Sequence, residues 1–248
     1  MIRNGSVWER LRHNAHVNMH LTTGSDHLDG AMAGGLSVST AYEANGGELT
    51  GKTTWCLQCA VEAVSRGHHV VFLNTNNTPV REIVPDHIDV HDCREGDSDA
   101  SSPGISVRHV FTIPALISAL HAIQRESSGS ENQYTFVIID ALTPLLAAID
   151  TAEDCAEASE GLRVAFFELK SQYCWIVGVT NGDRSEMDAY MTTILDGLFD
   201  ATITFSWHGA RHSPPCGPSA RLIRSRHGAG SVKYSAEPIQ LAFSNLQG

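Results

Sequence analysis

Apolar runs and polar breaks alternate along most of this chain, with two periods. HVVFLNT (69–75), TFVIID (135–140) and CWIVGVTN (174–181) are short, continuous and rich in β-branched residues, as strands buried on both faces of a parallel sheet are. SVSTAYEA (37–44) and ISVRHVF (105–111) read as further strands. TTWCLQCAVEAV after Lys52, PALISALHAIQ (114–124) and EDCAEASEGLRVAFFELKSQ (153–172) carry apolar residues at helical spacing, and ESSGSENQ (126–133) is a polar connector. Beyond residue 200 the helices drop out. ATITFSW (201–207), ARLIRSR (220–226) and SVKYSAE (231–237) follow one another through HSPPCGP and HGAG, which predicts an antiparallel edge or meander. The pattern defines an α/β fold, a mostly parallel sheet flanked by helices with C-terminal antiparallel strands.

Composition narrows this picture. A chain of 248 residues with 42% hydrophobic content buries one sizeable core, so residues 21–248 are expected to form one domain. Residues 1–20 are expected to form an amphipathic arm, with Val7, Trp8, Leu11, Ala15 and Met19 at near-helical spacing among Arg3, Arg10 and Arg12. No apolar run approaches the ~20 residues of a membrane span, and the N-terminus lacks a secretion signal, so a soluble intracellular chain without a membrane partner is expected. Six scattered cysteines fit a reducing compartment better than a disulfide scaffold. Cys56 and Cys59 stand as C-x-x-C where a helix should run, with no second pair at zinc spacing, so they read as a core face.

The formal net charge of −11 argues against a broad electrostatic grip on nucleic acid and for protein or small-molecule partners. The acidic run from Asp86 to Asp99 reads as a solvated loop rather than a metal cluster, although His87 and His91 lie within it. Arg221, Arg224, Arg226 and Lys233 read as a solvated basic face. His68 and His69, just before a buried strand, are expected at its solvent edge.

The chemistry concentrates in GGELTGKTT, a complete G-x-x-x-x-G-K-[ST] phosphate loop comprising Gly46, Gly47, Glu48, Leu49, Thr50, Gly51, Lys52, Thr53 and Thr54. It lies between a predicted strand and a predicted helix, the context in which backbone N–H groups converge on phosphate oxygens. Lys52 would reach the β- and γ-phosphates of ATP, and the Thr53 hydroxyl would ligate Mg²⁺. Asp140, ending an apolar strand, is placed to hold the same Mg²⁺ through water.

The stretch LTTGSDHLDGAMAGGLSVSTAYEANGGELTGKTTWCLQCAV (21–61) resembles the ATPase core of the RecA-type recombinases, specifically the eukaryotic strand-exchange recombinase and its paralogues. These share T-T-G-S-x-x-L-D, a G-G-G-[IL] turn and then the phosphate loop. The resemblance continues through FLNTNNTPVREI (72–83), FVIIDALTPLL (136–146) and WIVGVTN (175–181), covering roughly residues 20–237. It implies a RecA-like phosphate-loop ATPase core.

The departures from that family bear on activity. Where the family has a water-polarising Glu, this chain has Asn76, and where it has a γ-phosphate-sensing Gln, this chain has Gly182. The family's two DNA loops correspond to 147–157, which has four acidic and no basic residues, and to 182–197. The resemblance therefore implies a short paralogue lacking the N-terminal domain, which binds ATP with weak or absent hydrolysis. Such a paralogue would act with a recombinase or other paralogue subunits as a nuclear mediator of recombinase filaments on single-stranded DNA, in homologous recombination and repair. DNA would be reached through the complex. The alternative is an active DNA-stimulated RecA-type ATPase or motor whose carboxylate is supplied by Glu82, Asp183 or a neighbouring subunit.

Overall fold

A computed structural model describes residues 19–93, 104–127, 133–182, 187–207, 218–224 and 232–233. The strands are β1 (His20–Leu21), β2 (Leu36–Ser37), β3 (Thr40–Gly46), β4 (His69–Asn74), β5 (Val90–Asp92), β6 (Ile105–His109), β7 (Thr135–Asp140), β8 (Trp175–Asn181), β9 (Ala201–Trp207), β10 (Pro218–Arg224) and β11 (Val232–Lys233). The helices are α1 (Asp26–Ala31), α2 (Lys52–Ser65), α3 (Val80–Ile83), α4 (Ile113–Ser127), α5 (Thr143–Leu146), α6 (Ala152–Ser171) and α7 (Ala189–Leu198).

A nine-stranded sheet runs β11-β10-β9-β3-β8-β7-β4-β6-β5. Every pairing from β5 to β9 is parallel, and only β9–β10 and β10–β11 are antiparallel. Successive residues of each inner strand serve opposite faces, so both faces need apolar side chains. Val70, Phe72, Phe136, Ile138 and Val177 point into one core with Trp55, Cys56 and Cys59 of α2. Val71, Leu73, Val137, Ile139 and Ile176 point into the other, against α4, α6 and α7. Three layers result, and the phosphate-loop helix is packed on the first face.

Several expectations need correction. The antiparallel edge expected beyond residue 200 is present as β9, β10 and β11, but β9 also joins the parallel body through β3, with Tyr42 opposite Ala201 and Gly46 opposite Phe205. Helix α7 makes that connection possible, and it occupies most of the 182–197 segment expected to be a DNA loop; residues 183–186 lie outside the described part. The other expected DNA loop, 147–157, is helical from Ala152. Within the acidic run, Val90–Asp92 forms an edge strand beside β6, because Val90 is buried while His91 and Asp92 face out. His68 and His69 are not at a solvent edge. His68 packs between the rings of Tyr134 and Trp175, and His69 Nε2 lies 3.2 Å from Ser106 Oγ. Cys56 and Cys59 are fully buried, as a core face requires, and burial pushes both thiols well above the ordinary range. The arm at 1–20 lies outside the described residues except for Met19 and His20, as do Arg226 and residues 94–103.

The T-T-G-S-x-x-L-D segment folds as a clasp on α2. The Asp29 carboxylate accepts from the hydroxyls of Thr22 and Thr23 and from the Thr23 N–H at 2.8 Å. Ser25 caps α1 by accepting from the Leu28 N–H, and Leu28 is buried. Gly24, at φ 78°, is in the left-handed region that favours glycine, and a Cβ there would fall 2.1 Å from Gln58 Nε2 on α2, so that side chain would have to move. Among the described residues, no helix is long and apolar enough to cross a membrane.

Candidate functional site

The site lies at the C-terminal edge of the parallel strands, where open α/β sheets bind ligands. β3 ends at Gly46, whose φ of 151° and close approach to the Phe205 carbonyl exclude any Cβ. The chain then turns through Gly47–Thr50 to Gly51, in the left-handed region at φ 87°, and enters α2 at Lys52. Because Gly51 supplies no capping side chain, the first N–H groups of α2 remain free to meet an anion.

Lys52 is 5% exposed, and its ammonium donates to the carbonyls of Gly46 at 2.8 Å and Gly47 at 2.5 Å and to Thr50 Oγ1 at 3.3 Å. Thr50 Oγ1 in turn donates to the Gly47 carbonyl at 2.9 Å. The loop is thus wrapped around its own lysine. Burial lowers the Lys52 pKa, partly opposed by the Asp140 charge.

Asp140 stands at the end of β7, fully buried. Its Oδ2 accepts from Thr53 Oγ1 at 2.9 Å and from Thr78 Oγ1 at 3.1 Å. Its Oδ1 has no partner. Burial raises the Asp140 pKa, partly opposed by the hydrogen bonds from Thr53 and Thr78 and by the Lys52 charge. A buried carboxylate oxygen left open beside a threonine hydroxyl fits a hard, oxygen-seeking cation. No group of three or more His, Cys, Asp or Glu among the described residues could cage a metal. A Mg²⁺ carried by nucleotide phosphates needs only one or two protein oxygens, which is what Thr53 and Asp140 offer.

Asn76 follows the end of β4. Its Oδ1 accepts from the Thr78 N–H at 3.2 Å and lies 2.6 Å from Thr78 Oγ1, whose single proton is shared between this amide oxygen and Asp140 Oδ2. Asn74 holds the same turn, accepting from the Thr78 N–H at 3.0 Å and donating to its carbonyl at 2.8 Å. Asn76 thus neighbours Asp140 both through the Thr78 hydroxyl and through its own side chain, whose hydrogen bond also opposes the rise in the Asp140 pKa. Gly182 follows β8 at φ 101°, with open space where a side chain would stand. Of the two substitute carboxylates, Glu82 is exposed on α3, and Asp183 lies outside the described residues.

The geometry adds residues that the pattern of the chain did not mark. Glu43, in the middle of β3, is a fully buried carboxylate accepting from Thr180 Oγ1 and Thr202 Oγ1, both at 2.8 Å. Asn45 Nδ2 donates to Thr180 Oγ1 at 2.9 Å and to the Gly182 carbonyl at 3.2 Å, and the Gly182 N–H donates to the Gly46 carbonyl at 3.2 Å. The start of the phosphate loop is thereby laced to the end of β8. An acid inside an otherwise apolar strand was the available signal for Glu43.

No family model matches the chain. Among curated proteins it is 26% identical over 184 residues to the human meiotic recombination protein DMC1/LIM15 homolog. That stretch is 70% of this chain and 53% of the relative, so the chain spans about half the length of the protein it matches. The similarity supports a place with the RecA-type recombinases. The fold is the RecA-like phosphate-loop core, a mostly parallel sheet between helices with antiparallel strands at its C-terminal edge.

Proposed function

We propose that this chain is an ATP-binding recombinase paralogue that holds nucleotide with Mg²⁺ and turns it over slowly. In this reading it serves as a mediator subunit, promoting or stabilising recombinase filaments on single-stranded DNA during homologous recombination and DNA repair in the nucleus. The observation that supports it best is the contrast at the strand ends: Lys52, Thr53 and Asp140 converge, whereas an amide, Asn76, follows β4 and is bonded to Thr78.

On this reading the N–H groups of Gly46–Thr54 cradle the phosphates, and Lys52 exchanges loop carbonyls for phosphate oxygens. Thr53 would hold Mg²⁺ directly and Asp140 through water, and the ion would supply neutralisation of phosphate charge. Asn76 can orient a water but cannot take its proton at neutral pH, which removes the ~10²–10⁴ in rate that a general base contributes. Gly182 has no side chain with which to read the γ-phosphate. ATP that is held rather than consumed stabilises the bound form of the chain by linkage, and a subunit contact built on that form gains the same stability.

The partners proposed are a recombinase or other paralogue subunits, with single-stranded DNA engaged through the complex and the arm at 1–20 as a second contact. The human relative's name, a meiotic recombination protein, supports the recombination setting. The test is single-site ATP turnover of the purified chain, with and without single-stranded DNA, beside recombinase pull-downs across a nucleotide series. Turnover below ~1 s⁻¹ and ATP-dependent recombinase capture are expected. Turnover in the ~1–10² s⁻¹ range of efficient phosphoryl-transfer enzymes would overturn the proposal in favour of a DNA-stimulated motor.

A further inference from the structure

On the α4/α6 face, a groove of about 520 Å³ opens between the start of α4, the short α5 and the first turns of α6. Its apolar walls include Phe111, Ile117, Pro144 and Ile149. Phe111 is 59% exposed although it stacks on His109, with ring centroids 6.1 Å apart and planes at 26°. An aromatic wall left this open is the kind of surface that a partner covers.

Among the described residues, the charges lining the groove are those of Asp154 and Glu157. Asp154 has a local reason to be there, since Thr151 caps α6 by accepting from the Asp154 N–H and donates to its carboxylate at 2.6 Å. Acids in a first helical turn also favour the helix dipole. Glu157 lies beyond that turn and gains little from it. Asp150 and Glu153, exposed neighbours of these residues in the chain, add to the local negative charge, which repels phosphate backbones and attracts Lys and Arg.

We propose that this groove docks a basic amphipathic segment of a partner protein, taking one bulky apolar side chain between Phe111 and Ile149 while flanking Lys or Arg side chains pair with Asp154 and Glu157. Buried aromatic anchors with charged flanks are the usual source of affinity and orientation in such contacts. The site needs no nucleotide, so it stands or falls apart from the proposed ATP site.

The test uses the full chain and a labelled synthetic basic amphipathic peptide, an arginine-rich helix former with a single tryptophan anchor and no segment in common with this chain. Fluorescence anisotropy should show saturable binding that weakens with salt. It should fall at least tenfold for Glu157→Lys, for Phe111→Ser, and for a peptide with its arginines changed to glutamate. Both protein positions are exposed, so the variants should keep the parent's thermal midpoint. No saturable binding, or binding indifferent to Glu157→Lys and to the arginine changes, would overturn the proposal. Displacement of the peptide by an 18-nucleotide oligothymidine would also overturn it and assign the groove to nucleic acid.

Discussion

Two neighbouring strand ends of this protein carry opposite chemistry. At the end of β7 and the start of α2, Asp140, Lys52 and Thr53 form a compact charged cluster. Across the sheet register, where Asn74 of β4 pairs with Asp140, the following turn is built from Asn74, Asn76 and Thr78, amides and a hydroxyl that close on one another. The first arrangement keeps buried charge that an empty site would be more stable without. The second has no charge and satisfies its own hydrogen bonds. On the proposed reading, the charged half holds phosphate and cation, and the uncharged half has no group to take a proton.

The largest effect should come from the charged half. Lys52→Ala removes the main counter-charge of the loop and is expected to weaken ATP at least tenfold by titration calorimetry, about 1.4 kcal/mol. Equal affinity would break the comparison outright. Thr53→Ala should give a milder loss, seen chiefly when Mg²⁺ is limiting.

Changing the amide half tests what it lacks. Asn76→Glu places a carboxylate one hydroxyl away from Asp140, and single-turnover assays should show faster hydrolysis, by up to ~10²-fold. No acceleration would mean that more than the base has been lost, Gly182 being the next position to restore.

Asp140→Asn separates stability from binding. The folded Asp140 has a pKa raised above the ordinary 3.8, so its protonated form favours folding, and that contribution is lost as pH rises through the folded value. At neutral pH the ionised side chain therefore destabilises the empty protein. Calorimetric melting without nucleotide should show the variant a few degrees more stable, while its Mg²⁺-dependent ATP affinity falls. A drop in stability instead would mean that Asp140 is fully compensated without ligand.

The smallest effect is a control at the far end of the sheet. Burial lowers the folded pKa of His68 below its ordinary 6.5, so its contribution is full above 6.5 and lost as pH falls through the folded value. His69 shifts the same way, again through burial. Melting curves between pH 7 and 5 should show a shallower loss for His68→Phe, with ATP affinity untouched.

The strands and the phosphate loop were legible because their signals are local. A run such as TFVIID needs two apolar faces wherever it sits, and a glycine loop between strand and helix presents N–H groups whatever surrounds it. The T-T-G-S-x-x-L-D segment was visible as a motif, but its purpose, a clasp closed by Asp29 and seated on Gln58, required the fold. Helix α7 is written in the chain as the buried stripe Met191, Ile194, Leu195 and Leu198, a signal that the resemblance to a DNA loop overrides. The buried histidines were missed because edge placement was inferred from sequence position alone.

By itself the sequence determined the α/β class, the strand–loop–helix around Lys52, the acid at the end of an apolar strand, and the amide and glycine at positions 76 and 182. Each of these follows from backbone preference, side-chain period or chemical identity, which neighbours in the chain suffice to express. Only the tertiary structure decided that β9 runs parallel beside β3, that Glu43 meets Thr180 and Thr202, that Asn76 reaches Asp140 through Thr78, and that an acid-rimmed groove opens beside Phe111. These are contacts between segments far apart in sequence. Strand order and layer packing set them, and no local pattern records which distant side chain will supply the partner.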